Sequence, residues 1–452
     1  MFRRLLIQSS KRGATLINRQ RNITVTKSFL IPIMTTQSFS TTKPVERGLQ
    51  YLSKIENYDS STYKTLAFYK FHTFTKAELE EFRIKLLTDL GEMGIVGRIY
   101  ISAEGVNAQI ACPEECLPRL QEYHAKVLKP MFNDNLMDLN IGTEHGLRSF
   151  RALHVRIRKQ LIVDGLDSTT YDLTDEPSHL SPAEWHDRLT TYEEETGKKP
   201  VVIDMRNHYE SKIGFFDGAI CPDADTYKDS IDAMNDICEN LPRDQEIFMY
   251  CTGGIRCTKA GAILQSASKF KTVHLVEGGI TSYGRWVSEQ EDKESLFRGK
   301  NFTFDARMGE KITEEVIGKC HLCGTPSNRY QNCAHASCNI LMLCCPNCSG
   351  QFLNTCARLP CYDTVSEFMK QSKPHFEPAG AVLVDGVRVF LKQGEKDMDN
   401  ASKRIVIGKK GVRCDHDHIS RTRAIDILGE PGEILKEWAK AGRDLPSKPV
   451  DI

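Results

Sequence analysis

Only Thr252, Gly253, Gly254 and Ile255 separate Cys251 from Arg256. Behind the cysteine lies a short apolar run, Ile247 to Tyr250, and ahead an alanine-rich stretch from about Thr258 to Ser268. This pattern predicts a strand, a tight Gly-Gly turn and a helix. A cysteine at the carboxyl end of such a strand faces the crevice where open α/β sheets hold ligands. The turn lets successive backbone N–H groups point inward, and the helix adds the positive end of its dipole. Together with the Arg256 cation these donors would stabilise an anion on Cys251, lowering its pKa and making it a nucleophile. The plain alternative is a buried structural cysteine beside a helix start. Cys257 has two readings as well: it could resolve a persulfide or disulfide on Cys251, or only pack under the helix.

The chain holds 16 cysteines, and nine of them fall between Cys320 and Cys361 with no secretory signal ahead. Such clustering points to metal or redox chemistry. The spacing runs Cys320-x2-Cys323-x9-Cys333-x4-Cys338-x6-Cys345-x2-Cys348-x7-Cys356-x4-Cys361. Four pairs of thiolates could build two tetrahedral zinc sites, since a two-residue spacing lets one knuckle supply two ligands. The expected cofactor is therefore structural zinc, with no organic cofactor evident; disulfides or relay thiols are the competing readings. His321, His335 and Cys344 are spare donors. Cys414, His416 and His418 could bind metal or simply alternate on an exposed strand.

Several elements must position these residues. Residues 64–160 predict a ferredoxin-like βαββαβ domain. Its signs are a strand at Leu66–Phe71, a capping box at Thr75 and Glu78 before Leu79, Phe82, Leu86, Leu87 and Leu90, and a hairpin around Ala103–Gly105. A second helix opening at Pro113, with Leu117, Leu120 and Val127 on one face, and a strand near Met137–Ile141 complete the order. Residues 177–299 alternate strand and helix, which predicts an α/β domain with a parallel sheet. Residues 300–361 form the Cys-rich module, opening on a short strand at Asn301–Asp305. Residues 362–452 hold a hairpin around Asp385-Gly386 and a helix from Glu433 to Ala441, with no task assigned.

Near the end of the first domain, Phe150 to Arg158 alternates strictly, with Leu153, Val155 and Ile157 towards a core and His154, Arg156 and Arg158 opposite. With Arg148, Arg151 and Lys159 they form the densest basic stripe after residue 45. It could follow a phosphate backbone, or be a solvated face paired with carboxylates.

Charge and composition narrow the classes further. The formal net charge is zero, yet Arg3, Arg4, Lys11, Arg12, Arg19, Arg21, Lys27 and Lys43 precede the first acidic residue, Glu46. Ser and Thr are frequent in that opening, and the pattern predicts a mitochondrial presequence over residues 1–45; a disordered cytosolic tail is the alternative. No apolar run reaches the roughly eighteen residues of a membrane span.

Tyr250 to Cys257 resembles the active-site loop of the rhodanese superfamily. More narrowly it resembles the rhodanese-containing tRNA uridine hydroxylase family, which carries Tyr-Cys-Thr-Gly-Gly-Ile-Arg-Cys. Asp204-Met205-Arg206-Asn207-His208-Tyr209-Glu210 is similar to the family's Asp-Val-Arg-Asn-x-Tyr-Glu. Ile101 to Asn107 resembles its Ser-x-Glu-Gly-Ile-Asn signature, usually followed by Gly-Thr where this chain has Ala108-Gln109. Gly214, Gly218 and Ala219, the turn from Glu277 to Tyr283, and the cysteine run also match. The chain departs at Thr258 and Gly261, where the family tends to have Glu and Ser. The likeness spans about residues 64–361. It implies that the central domain is rhodanese-like, that Asp204 and Arg206 brace the active-site loop, and that the loop, one residue shorter than in related cysteine phosphatases, encloses a single sulfur or oxygen atom.

The expected function is hydroxylation of a wobble uridine to 5-hydroxyuridine, with Cys251 as nucleophile, the anticodon region of tRNA as partner, and a small-molecule oxidant. The alternatives are a sulfurtransferase carrying a persulfide from a sulfane donor on Cys251, and a non-catalytic RNA- or protein-binding module. The expected location is the mitochondrial matrix, or else the cytoplasm.

Overall fold

Strand β1 (Tyr63–Phe71) leads into helix α1 (Lys76–Glu92), whose start is fixed by a reciprocal cap: Glu78 N–H donates to Thr75 Oγ1, and Thr75 N–H to the Glu78 carboxylate. Leu79, Phe82, Leu86 and Leu90 then fall on one buried face. The hairpin β2 (Val96–Ser102) and β3 (Gly105–Pro113), helix α2 (Leu117–Tyr123) and β4 (Asn140–Gly146) follow, and β5 (Leu153–Ile157) adds a further strand. The sheet order is β4-β1-β3-β2-β5, antiparallel except for the parallel β2/β5 pair. The first four strands have the expected ferredoxin-like order; β5 is an addition to it.

These coordinates are a computed structural model that describes residues 62–371, with short gaps at 147–148, 151, 168, 175 and 336–337, the paired strands Ala381–Val384 and Val387–Phe390, and residues 423–446. The presequence expected at 1–45, Arg148 and Arg151, and the Cys414, His416 and His418 donors lie outside the described residues.

Three local expectations are corrected. Pro113 ends β3 instead of opening a helix, and the helix that follows passes through a π-helical turn at His124–Leu128. The extra residue in that turn shifts the buried position from Val127 to Leu128. Ile157, expected in the core, is 38% exposed at the end of β5, whereas Val155 is buried. The strand expected at Asn301–Asp305 ends at Asn301 (β11, Phe297–Asn301).

The central domain has a four-stranded, all-parallel sheet of β6 (Ser178–Leu180), β7 (Val201–Asp204), β9 (Ile247–Tyr250) and β10 (Val273–Val276), ordered β6-β10-β9-β7. Helices α3 (Pro182–Thr196), α4 (His208–Ser211), α5 (Tyr227–Cys238), α6 (Ile255–Ser266) and α7 (Gly279–Ser288) connect its strands. Interior β9 is buried at every residue, as a strand covered on both faces must be. A small sheet joins β8 (Gly214–Phe216) to β11 and β12 (Glu310–Lys311), carrying the chain into the Cys-rich module.

That module consists of β13 (Tyr330–Asn332), β14 (Leu341–Leu343), α8 (Pro346–Gln351) and α9 (Leu359–Gln371). Residues after 362, which sequence left without a task, contribute to its core. Helices α10 (Ala424–Leu428) and α11 (Glu433–Lys440) pack on it, with Trp438 wedged edge-on against Phe352 and Tyr362 and its indole N–H donating 2.8 Å to the Ala357 carbonyl.

Candidate active site

The loop between β9 and α6 puts Cys251 at the carboxyl end of the sheet, 1% exposed. Gly254 adopts φ 102°, a conformation open to glycine, and its N–H donates 3.1 Å to Cys251 Sγ. Thr258 N–H reaches back to the Gly254 carbonyl, so α6 starts at Ile255 and not near Thr258, as expected. Arg256 and Cys257 therefore ride on the first helical turn. On the other side Ile280 and Thr281 donate their N–H groups to the carbonyls of Cys251 and Thr252. Here Gly279 is required: a Cβ at that position would lie 2.5 Å from the Cys251 carbonyl oxygen.

Burial alone would push the Cys251 thiol up. The Cys257 thiol, the Arg256 charge and the N–H groups of Cys257 and Gly253 outweigh it and bring the pKa down to about 5. Cys257 itself is buried and is held well above its ordinary value, first by burial and then by the neighbouring Cys251 anion. It stands beneath the sulfur as a proton-bearing partner.

Arg256 does not reach the thiolate with its hydrogen bonds. Its guanidinium is bidentate to Glu210 at 2.6 and 2.8 Å and touches Thr252 Oγ1 at 3.1 Å; Thr252 in turn donates to Glu210. Glu210 is fully buried, and although burial pushes its carboxyl up, Arg256 holds it below the usual range. Glu210 closes the Asp204–Glu210 motif, and nothing in its residue type or spacing marks this role.

Asp204 and Arg206 make a separate buried pair. Arg206 clasps Asp204 at 2.9 and 2.7 Å and the Gly214 carbonyl at 2.7 Å, with its guanidinium over the rings of Tyr250 and Phe297. The pair thus supports β8 and the residue before Cys251, while contact with Arg256 is left to Glu210.

The first domain closes the site. Tyr69 of β1 hydrogen-bonds Thr258 Oγ1 at 2.9 Å, and a Cβ on Gly254 would meet its hydroxyl at 2.7 Å. Buried Lys259 binds Asp164 at 2.7 Å and Glu104, from the hairpin turn, at 3.2 Å. Tyr69→Phe is expected to cost about 1 kcal/mol in denaturant unfolding, because it removes one net hydrogen bond while Thr258 keeps its bond to the Gly254 carbonyl. No loss of stability would refute this account of the contact. Thr258 and Gly261, the two departures from the family pattern, sit on this packed side of α6; Gly261 faces Pro177, where a Cβ would come within 2.7 Å of the ring.

Between the two domains lies a cavity of about 290 Å³ into which Cys251 opens. One wall is the outer face of the five-stranded sheet, with Thr65, Tyr69, Asn107 and Gln109; the other holds the loop, Phe304, Asp305 and Arg307. Arg307, like Arg256, is bidentate to a carboxylate, Asp305. The strand register carries that sheet face beyond the cavity. Ala67, Gln109, Arg98 and His154 lie in one cross-strand row, and Tyr69, Asn107, Tyr100 and Arg156 in the next. His154, Arg156, Arg158 and Lys159 are exposed, and among the described residues the last three have no carboxylate partner. Arg158 stacks over Tyr100 at 4.8 Å. Partial burial, then the charges of Arg156 and Arg98, hold His154 below its usual pKa.

The eight cysteines gather into two groups that could each hold a metal ion: Cys320, Cys323, Cys345 and Cys348, and Cys333, Cys338, Cys356 and Cys361. The first and third pairs share one group and the second and fourth the other, a cross-braced arrangement that spacing left open. Sulfur separations of 3.7 Å (Cys323–Cys345) and 3.8 Å (Cys338–Cys356) fit the ~3.8 Å edge of a tetrahedron with metal–sulfur bonds of ~2.3 Å. Cys348 N–H and Cys356 N–H donate to Cys345 and Cys333 sulfurs, the outer bonds that orient thiolate ligands. Neither group contains His321, whose Nδ1 accepts from Leu343 N–H, nor His335 or Cys344.

A parallel sheet ending in a cysteine cradled by main-chain N–H groups, with an arginine on the next helical turn, defines a rhodanese-type cysteine domain. Residues 189–285 match the Rhodanese-like domain family, 63–161 the UPF0176 acylphosphatase like domain, and 298–362 the Rhodanase C-terminal family. A protein of Leptospira interrogans named tRNA uridine(34) hydroxylase is 37% identical over 318 residues, 70% of this chain and 82% of its own length. One of the same name from Yersinia pestis is 34% identical over 73% of this chain and 87% of its own. A solved rhodanese-like domain protein from Staphylococcus aureus is 20% identical over 26% of this chain and 99% of that one, at a TM-score of 0.19. The chain belongs to the rhodanese-domain family of proteins named tRNA uridine(34) hydroxylase.

Proposed function

We propose that the protein hydroxylates uridine at the wobble position of tRNA, with Cys251 as the nucleophile. The observation that carries this reading is the charge balance of the cavity. Its two arginines are each neutralised by a bidentate carboxylate, and Glu310 lines the same cavity as Cys251. Such a chamber suits a neutral planar base better than a sulfane dianion such as thiosulfate. The sheet face leading out of it bears Arg98, Arg156 and Arg158 around Tyr100, a track on which a phosphate backbone could lie. A wobble base is unpaired in its loop, so no duplex need be melted.

In the reaction, Cys251 Sγ adds to C6 of uracil and shifts electron density to C5. C5 takes oxygen from a two-electron oxygen donor; loss of the C5 proton and expulsion of the thiolate then give 5-hydroxyuridine and free Cys251. The two four-cysteine groups would hold structural zinc, fixing the module behind the loop. Residues 1–45 would direct the protein to mitochondria.

Nucleoside analysis of separated organellar and cytosolic tRNA from a deletion strain tests both parts. 5-Hydroxyuridine is expected to disappear from organellar tRNA, returning with the wild-type chain but not with Cys251→Ser. Loss confined to cytosolic tRNA would overturn the mitochondrial assignment. Unchanged 5-hydroxyuridine in both pools, with thiosulfate:cyanide turnover abolished by Cys251→Ser, would replace hydroxylation by sulfur transfer.

A further inference from the structure

Hydrogen-bond satisfaction across the cavity is uneven. On the loop side the charged groups are paired: Arg256 with Glu210, Thr252 with both, Arg307 with Asp305. On the sheet side polar groups stand uncommitted. The Thr65 hydroxyl is buried without a partner, and the carboxamides of half-buried Asn107 and Gln109 make no hydrogen bond among the described residues. Buried polar groups are normally paired, and an orphaned one costs about 1–3 kcal/mol. Thr65 is one such orphan, and with the uncommitted carboxamides of Asn107 and Gln109 on the same wall, 142 residues or more from Cys251 in sequence, it marks where a ligand's polar edge belongs.

The donor and acceptor types narrow that ligand. A carboxamide offers one acceptor oxygen and an N–H donor side by side. Asn107 and Gln109 are two residues apart on β3 and point the same way, about 7 Å apart. A flat ring edge of alternating acceptor, donor and acceptor can be met by such a pair, and the uracil edge of O2, N3–H and O4 has that alternation. Phe150 and Phe304 supply aromatic surface at the same cavity, and among the described residues both arginines that line it are paired with carboxylates.

We propose that Asn107 and Gln109 hold the target uracil by its imide edge, Thr65 assisting, so that the ring is turned towards Cys251. This inference rests on the RNA reading above and assigns the two carboxamides as positioning residues, with Cys251 retaining the chemistry.

The test separates the two. The full chain carrying Cys251→Ser is titrated with a fluorescent anticodon stem-loop bearing uridine at the wobble position, and with the same stem-loop carrying N3-methyluridine there. N3-methylation is expected to weaken binding about tenfold or more, since it removes one hydrogen bond and crowds the carboxamides. In backgrounds that add Asn107→Ala or Gln109→Met, binding of the unmethylated loop should fall about tenfold and the methylation penalty should shrink towards none. Should Asn107→Ala fail to fold, Asn107→Leu takes its place. Equal methylation penalties in parent and variants would overturn the assignment while leaving the RNA reading intact. Failure of the parent to bind the unmethylated stem-loop would overturn both.

Discussion

Arg256→Met is expected to raise the midpoint of Cys251 alkylation from about 5 into or above the ordinary thiol range. Burial already opposes the thiolate, so removal of the main cation leaves the Cys257 thiol and the loop N–H groups against it, with Glu210 now adding repulsion. The same substitution strands Glu210, which is fully buried, without its ion-pair partner. Breaking a buried pair from one side costs about 3–5 kcal/mol. The two consequences can be pulled apart. In Arg256→Met/Glu210→Gln the stability should largely return, whereas the alkylation midpoint stays high. A linked pH effect follows. With the folded thiol titrating at about 5 and an ordinary thiol at 9.0, the folded state binds fewer protons between those values. Cys251 thus contributes stability that is complete above pH 9, declines as pH falls, and is gone below about 5. The wild-type minus Arg256→Met difference should show that slope. An alkylation profile unmoved by Arg256→Met would refute the account of the loop's electrostatics.

How much of this was legible depends on how far apart the partners lie. The loop is local: strand, turn and helix follow within about twenty residues, and Gly253-Gly254 beside Cys251 can be read directly. Even so, residue types put the helix start near Thr258, three residues late, because the Thr258 N–H to Gly254 carbonyl bond that sets it has no mark in the sequence. The ferredoxin-like order could be read because its first helix carries a capping box and its hairpin a tight turn, although the second helix has no side-chain cap and its start is misplaced at Pro113. Glu210 could not be assigned, since its partner lies 46 residues on and an acidic residue in a short helix looks like surface. The cavity was hidden for a related reason. Thr65, Ala67 and Tyr69, with Asn107 and Gln109, alternate with apolar residues in the manner of a solvated sheet face. Only docking of the second domain turns that face inward, through contacts such as Lys259 with Glu104 across 155 residues. The basic residues of β5 were identified from alternation, but their continuity with the cavity comes from the β2/β5 register, which no local pattern specifies.

This dependence on distant pairing is strongest in the Cys-rich module, where the largest loss is expected. Cys338→Ser should release the metal from both four-cysteine groups, although it removes a ligand from one. The groups are cross-braced: passing along the chain, the pairs alternate between them, so the segments from Cys323 to Cys333 and from Cys338 to Cys345 each join one group to the other. β13 and β14 lie within those spans and pair with each other, so loss of either group is expected to loosen their pairing. Few other interactions could replace bound metal, because the core around the two groups consists largely of the cysteines themselves with Phe352, Ile340, Met342 and Trp438. Structural zinc bound by thiolates supplies on the order of 10–16 kcal/mol of folding free energy at neutral pH, more than the whole stability of many domains. Elemental analysis of the wild-type chain should find two metal ions, zinc in our assignment, and Cys338→Ser close to none. Treatment with a strong chelator under reducing conditions should expose Trp438, detectable as a red shift in fluorescence that is absent in Trp438→Phe. The rhodanese-type domain should keep its fold through this, with Cys251 still alkylated at low pH, because its own core clusters contain none of these cysteines. A Cys338→Ser chain that retains one ion and a buried Trp438 would show the two groups to be independent and would refute the cross-brace as the source of the module's stability.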